Sequence, residues 1–113
     1  MALGMIEVFG FTTAIKVADL MAKTANIEVV ALDSNKPAAG DDAEVPLIMI
    51  VKIEGKVSDV EQAVAVGVEE AEKRDLYVTS YVISRQDDET EKLAHRCSVG
   101  RDKMNKPAAS SVK

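Results

Sequence analysis

The sequence predicts an α+β fold: a four-stranded antiparallel sheet with two helices on one face and a short C-terminal helix. Three observations carry this. Short apolar runs recur four times along the chain, the first three of them bounded by Gly, Pro or Asn. Two longer segments repeat their apolar residues at three- and four-residue spacing, one after the first run and one after the third. The resulting order is β-α-β-β-α-β, and right-handed crossovers on both βαβ halves turn that order into the ferredoxin-like arrangement, with the two middle strands as neighbours.

The first strand is read in "GMIEVFG", where Met5, Ile6 and Val8 lie between Gly4 and Gly10. "FTTAIKVADLMAKTA" follows as a helix with Ala14, Ile15, Ala18, Met21, Ala22 and Ala25 on its apolar face and Lys16 and Asp19 opposite. Thr12 or Thr13 is the expected cap. "NIEVVALD" is the second strand, with Ile27, Val29 and Ala31 sharing a face. "PLIMIVKIEG" is the third. Its continuous apolar run suits a central strand covered on both sides, and Pro46 can open it because the first residue need not donate to the ladder.

The second helix is read in "GKVSDVEQAVAVGVEEAEKRD", where Ser58 and Glu61 have capping-box spacing and Val60, Ala63, Val64, Gly67, Val68 and Ala71 form the buried stripe. Gly67 costs about 1 kcal/mol against Ala in a helix interior, which points to close packing on the sheet. "LYVTSYVISR" is the fourth strand. "DDETEKLAHRC" is a short terminal helix, with acids at its start and His95 and Arg96 at its end, as the helix dipole prefers. The second sheet face needs cover from that helix, from a neighbouring subunit or from water.

The 113 residues suit one domain, 47% apolar but only 4% aromatic, so the core is built from Val, Ile, Ala, Leu and Met. A net charge of −5 argues against general nucleic-acid binding. No run reaches membrane-spanning length, and the N-terminus runs straight into a strand pattern, so neither a membrane anchor nor a signal peptide is expected. The single cysteine fits a reducing cytoplasm. From Arg96 to Lys113 there are five basic residues against one acid, a net of +4 that leaves −9 on the rest of the chain. The expected division is therefore a domain over residues 1–95 and a basic, disordered tail over 96–113.

Catalytic chemistry is hard to find. No phosphate loop is present. His95 and Cys97 are two apart and point different ways on a helix, and together they fall short of a four-ligand zinc site. No catalytic residue, metal site or cofactor is read. The unexplained stretch is "SNKPAAGDDAEVP", residues 34–46, between the middle strands. A hairpin needs only two to five residues there, and loops this long usually carry function or are disordered. Asp41, Asp42 and Glu44 lack the spacing of a calcium loop.

The passages over residues 2–33 and 47–85 resemble bacterial microcompartment shell proteins of the single-domain, hexamer-forming class. The likeness rests on "GMIE" at Gly4–Glu7, "KTAN" at Lys23–Asn26, "EGKV" at Glu54–Val57 and "VISR" at Val82–Arg85, in family order. The resemblance implies cyclic homo-hexamers that tile edge to edge with other shell proteins around encapsulated enzymes. The implied location is the cytoplasm, in the microcompartment shell. It places Lys23, Asn26 and Arg85 at the hexamer edge and the loop between the second and third strands at a central pore for small metabolites. That loop is usually short and Gly-rich. Here it is long and acidic, with Lys36, Gly40, Asp41, Asp42 and Glu44 as pore-loop candidates. The competing reading is a ferredoxin-like small-molecule sensor, a dimer or trimer whose long loop folds over an effector. Oligomer mass separates the two. A small ferredoxin-like enzyme is the third reading and lacks convergent acid and base residues.

Overall fold

The structure is a computed structural model and describes residues 1–35 and 47–96. Seven elements follow in order: β1 (Ala2–Phe9), α1 (Phe11–Thr24), β2 (Ile27–Asn35), β3 (Ile48–Gly55), α2 (Val57–Lys73), β4 (Tyr77–Ile83) and α3 (Asp88–Ala94). The strands form one antiparallel sheet in the order β2-β3-β1-β4, which is the ferredoxin-like order expected from the sequence. β1 and β3 are the inner strands, as the apolar run Ile48–Val51 that opens β3 implies.

Alternation divides each strand between two environments. Ile6 and Val8 of β1 and Met49, Val51 and Ile53 of β3 face α1 and α2, each no more than 1% exposed. Each such side chain contributes roughly 1.5–3 kcal/mol by leaving water, so this layer dominates the stability of the fold. Leu3, Met5 and Glu7 of β1 and Ile50, Lys52 and Glu54 of β3 face the other way, where, among the described residues, only the short α3 packs.

The helix faces differ in part from the sequence reading. On α1 the buried residues are Thr13, Ala14, Val17, Ala18 and Met21, whereas Ile15 and Ala22 are exposed. Val17 carries the packing that Ile15 was expected to supply. No threonine caps the helix. Gly10 holds the cap position at φ 91, a conformation that suits glycine, and its N–H bonds the Leu47 carbonyl at 2.8 Å. Thr12 and Thr13 therefore fall inside the first turn.

α2 also starts earlier than the capping box predicts. The Lys56 carbonyl already accepts from the Val60 N–H at 2.9 Å, so Ser58 lies inside the helix and makes no cap bond. The stripe of Val60, Ala63, Val64, Gly67 and Ala71 is buried as expected. At its C-terminus Leu76 N–H bonds Ala71 O at 2.9 Å and Asp75 N–H bonds Glu72 O at 3.0 Å, a Schellman closure with Asp75 at φ 59. Nearby, the hydrogen bond from Arg74, helped by Lys73, holds the Glu70 carboxyl below its ordinary value.

Two irregularities overturn simple alternation. β2 pairs Val29 with Ile53 and then Ala31 with Lys52, so Val30 is an extra residue and the faces swap. Ala31 therefore leaves the face of Ile27 and Val29, and Leu32 takes its place against the core. β4 has a corresponding shift between the Glu7–Thr79 and Val8–Tyr77 pairs.

Glycines set the closest approaches. A Cβ on Gly4 would stand 2.8 Å from Val60 Cγ1, 2.9 Å from Val64 Cγ2 and 3.0 Å from Ile53 Cγ1. Gly4 thus lies within β1, under α2, rather than at its boundary. A Cβ on Gly67 would meet Met21 Sδ at 3.0 Å and Val17 Cγ1 at 3.1 Å, so Gly67 serves the contact between the helices and not contact with the sheet.

Gly4→Ala is expected to cost about 1–3 kcal/mol, because stiff β-branched side chains surround the site. Gly67→Ala should cost less, since about 1 kcal/mol of helix propensity offsets contact with the flexible Met21. Urea denaturation midpoints of the two variants check the order; a Gly67→Ala loss exceeding that of Gly4→Ala would contradict it.

Candidate functional site at the two ends of the sheet

Chain direction and register place the sequence-predicted residues. Ala2 and Ile27 both pair with Gly55, and Leu3 pairs with Ile83. Asn26, just before β2, and Arg85, just after β4, therefore lie at the same end of the sheet. They belong to opposite edge strands, three strand spacings or about 14 Å apart laterally. Lys23 stands in the last turn of α1, beside Asn26 in sequence. All three are exposed.

Each residue is held by a local cause. The Lys23 ammonium is 2.8 Å from Asp19 one turn back, with both side chains well exposed. An exposed pair of this kind contributes about 0–1 kcal/mol, so the ammonium is free to exchange Asp19 for another acceptor. The Asn26 carbonyl lies against Gly55, where a Cβ would approach it to 3.1 Å. Beyond Arg85, the Gln86 N–H reaches the Met1 carbonyl at 3.3 Å, which ties the exit of β4 to the start of β1.

The loop candidates Lys36, Gly40, Asp41, Asp42 and Glu44 lie outside the described residues. Their stems are placed. Asn35 pairs with Ile48, which pairs with Phe9, and Leu47 is bonded by Gly10. This is the opposite end of the sheet from Asn26 and Arg85, about 23 Å away along the eight residues of β3. The fold thus separates the stems of the loop from the three edge candidates. Cys97 also lies outside the described residues.

The sequence reading missed a polar network on the face covered by α3. Lys52 and Glu54 are 8% and 5% exposed, two charges within an otherwise apolar strand. Glu54 accepts from Gln86 Nε2 and lies 3.0 Å from His95 Nε2 through its other oxygen. Lys52 Nζ donates to the Arg96 carbonyl at 3.0 Å and stands 3.6 Å from Asp33. The signal was the charge at alternate positions in "IVKIEG". Beside Lys52 the face is hollowed by a concavity of about 280 Å³ floored by Met5 and Ile50 and rimmed by Glu7, Asp33 and Tyr81. Among the described residues no group of three or more His, Cys, Asp or Glu gathers as a metal site, and no helix is long and apolar enough to cross a membrane.

This is an α+β sheet-and-helix domain with Lys23, Asn26 and Arg85 at one end of its sheet and the stems of the β2–β3 connection at the other. The BMC domain family model matches residues 2–86, and the chain belongs to that family, the bacterial microcompartment shell proteins. It is 39% identical over 87 residues to the bacterial microcompartment shell protein PduK of Citrobacter freundii, covering 77% of this chain and 51% of that protein. To PduK of Salmonella typhimurium it is 36% identical over 84 residues, covering 74% and 48% respectively. The chain thus spans about half the length of the curated relatives it matches. A solved microcompartments protein from Desulfitobacterium hafniense DCB superposes with a TM-score of 0.67 at 32% identity, over 80% of this chain and 47% of that one.

Lys23→Ala should change folding stability by less than about 1 kcal/mol, since only an exposed ion pair is lost. Thermal or urea unfolding checks this, and a larger loss would mean that Lys23 supports the fold itself.

Proposed function

We propose that this chain forms cyclic homo-hexamers that tile edge to edge, with themselves and with other shell proteins, into the wall of a microcompartment. The family's structural shell role is the basis. The observation that carries the finer reading is the separation of Lys23, Asn26 and Arg85 from the stems of the 36–46 loop, at opposite ends of one sheet. In a ring, one end of each subunit faces the axis and the other faces outward, so a single fold can supply a rim and a centre.

On this reading Lys23 and Arg85 reach backbone carbonyls of a neighbouring tile. Lys23 acts as a mobile point charge and Arg85 as a planar fork, with Asn26 beside the contact. The role is structural rather than catalytic, the shell encloses enzymes in the cytoplasm, and residues 1–95 form the shell domain with 96–113 as a basic extension. The loop, with Lys36, Gly40, Asp41, Asp42 and Glu44, lines the axis and gives the pore a negative mouth that admits neutral metabolites and slows anions.

Native mass spectrometry should show six times the chain mass; monomer or dimer alone at micromolar concentration would overturn the hexamer. Lys23→Ala should keep the hexamer but form fewer and smaller sheets by electron microscopy, and wild-type sheets from the variant would remove Lys23 from the edge.

The loop is tested by flux through assembled shells. With Asp41, Asp42 and Glu44 changed to Asn, Asn and Gln, carboxylate flux should rise relative to that of a neutral alcohol. An unchanged ratio would show that the loop is not a charge filter.

A further inference from the structure

α3 lies on the sheet in an unusual way for a packed helix. It has seven residues and buries only Ala94. Leu93, the other large apolar residue available to it, is 59% exposed. Between helix and sheet runs an apolar groove of about 240 Å³, bordered by Leu3, Met5, Ile83, Leu93 and Ala94. A helix this short is marginal in water by itself, and the groove denies it the close packing that normally compensates.

What holds the segment is polar. Glu54 is a two-ended acceptor, taking Gln86 from before α3 on one oxygen and His95 from after it on the other. Two residues along the same face of β3, Lys52 takes the Arg96 carbonyl. Both ends of the segment are therefore tied to two buried charges on one central strand. Glu28 pairs with Glu54 across β2 and Asp33 lies near Lys52, so neighbouring carboxylates surround the clamp.

We propose that residues 86–96 form a strap, latched by Glu54 and Lys52, that opens as a unit while the sheet and the two main helices stay folded. The physics favours two discrete states. Closed, the strap supplies both partners of Glu54 and one partner of Lys52, whose other partner is Asp33. Open, the two buried charges return to water, which recovers their hydration and keeps the net gap between the states small. The strap rather than the core belongs to the low-stability end of the molecule. Met5 and Lys52 border both the groove and the neighbouring concavity, so opening joins the two into a single trough across the helix-free face.

The test is hydrogen exchange by mass spectrometry on the full chain, wild type beside Glu54→Gln, Lys52→Met and His95→Ala. In the wild type, amides of α3 should exchange through an opening insensitive to low urea, while those of β1 and β3 exchange only through urea-sensitive unfolding. Each variant should speed exchange in the strap by roughly tenfold or more and leave β1 and β3 at wild-type protection. Equal acceleration of strap and sheet, or no acceleration in any variant, overturns the latch. Should either β3 variant fail to fold, His95→Ala carries the test, because His95 is half exposed and outside the main core.

Discussion

α2 sits as close as it does to the sheet and to α1 because no side chain stands at Gly4 or at Gly67. With a Cβ at either place, Val60 and Val64 or Val17 and Met21 would have to move. The two gaps face in different directions, one under α2 and one beside it, so together they fix its height over β1 and its distance from α1. Much else follows from that seat. Val60 is fully buried, Ile6 and Val8 are closed off from water, and the Schellman closure at Ala71 to Leu76 returns the chain to the sheet at β4. Volume changes of a single methyl group are felt in a core at this density.

The same inner strand that completes this core carries a second, different environment on its reverse. Met49, Val51 and Ile53 pack against helices, whereas Lys52 and Glu54 are satisfied by backbone and side chains of the C-terminal segment. One face is held by area removed from water and the other by a few directional bonds to charges. The first kind of interaction makes a rigid plate. The second supplies specific geometry with little net stability, which suits a covering element more than a core.

For a shell protein, the separation of ends is what matters. The β3 strand is the spacer: at its Gly55 end lie Asn26 and the exit of β4, and at its Ile48 end lie the stems of the long loop. A loop that changes length and charge at one end therefore leaves the geometry of the other untouched. Loops tolerate such insertion because their closure entropy grows only slowly with length.

The amino-acid sequence by itself determined the element order, the central place of β3, the buried stripe of α2 and, through the resemblance carried by "KTAN" and "VISR", the shell family and the candidates Lys23, Asn26 and Arg85. These are local or near-local properties, written in periodicity and in short motifs. Tertiary structure decided the rest. Val17 rather than Ile15 joined Ala14, Ala18 and Met21 in the core of α1, because the sheet and α2 lie against that stripe. Ala31 and Leu32 exchanged faces because a bulge at Val30 shifted the register, which no alternation rule anticipates. Gly67 answered to α1, and Lys52 and Glu54 found partners more than 30 residues away in Gln86, His95 and Arg96. Partners that distant in sequence meet only when the sheet has assembled, so a charged residue in an apolar strand reads as an exception until the fold places its counterpart beside it.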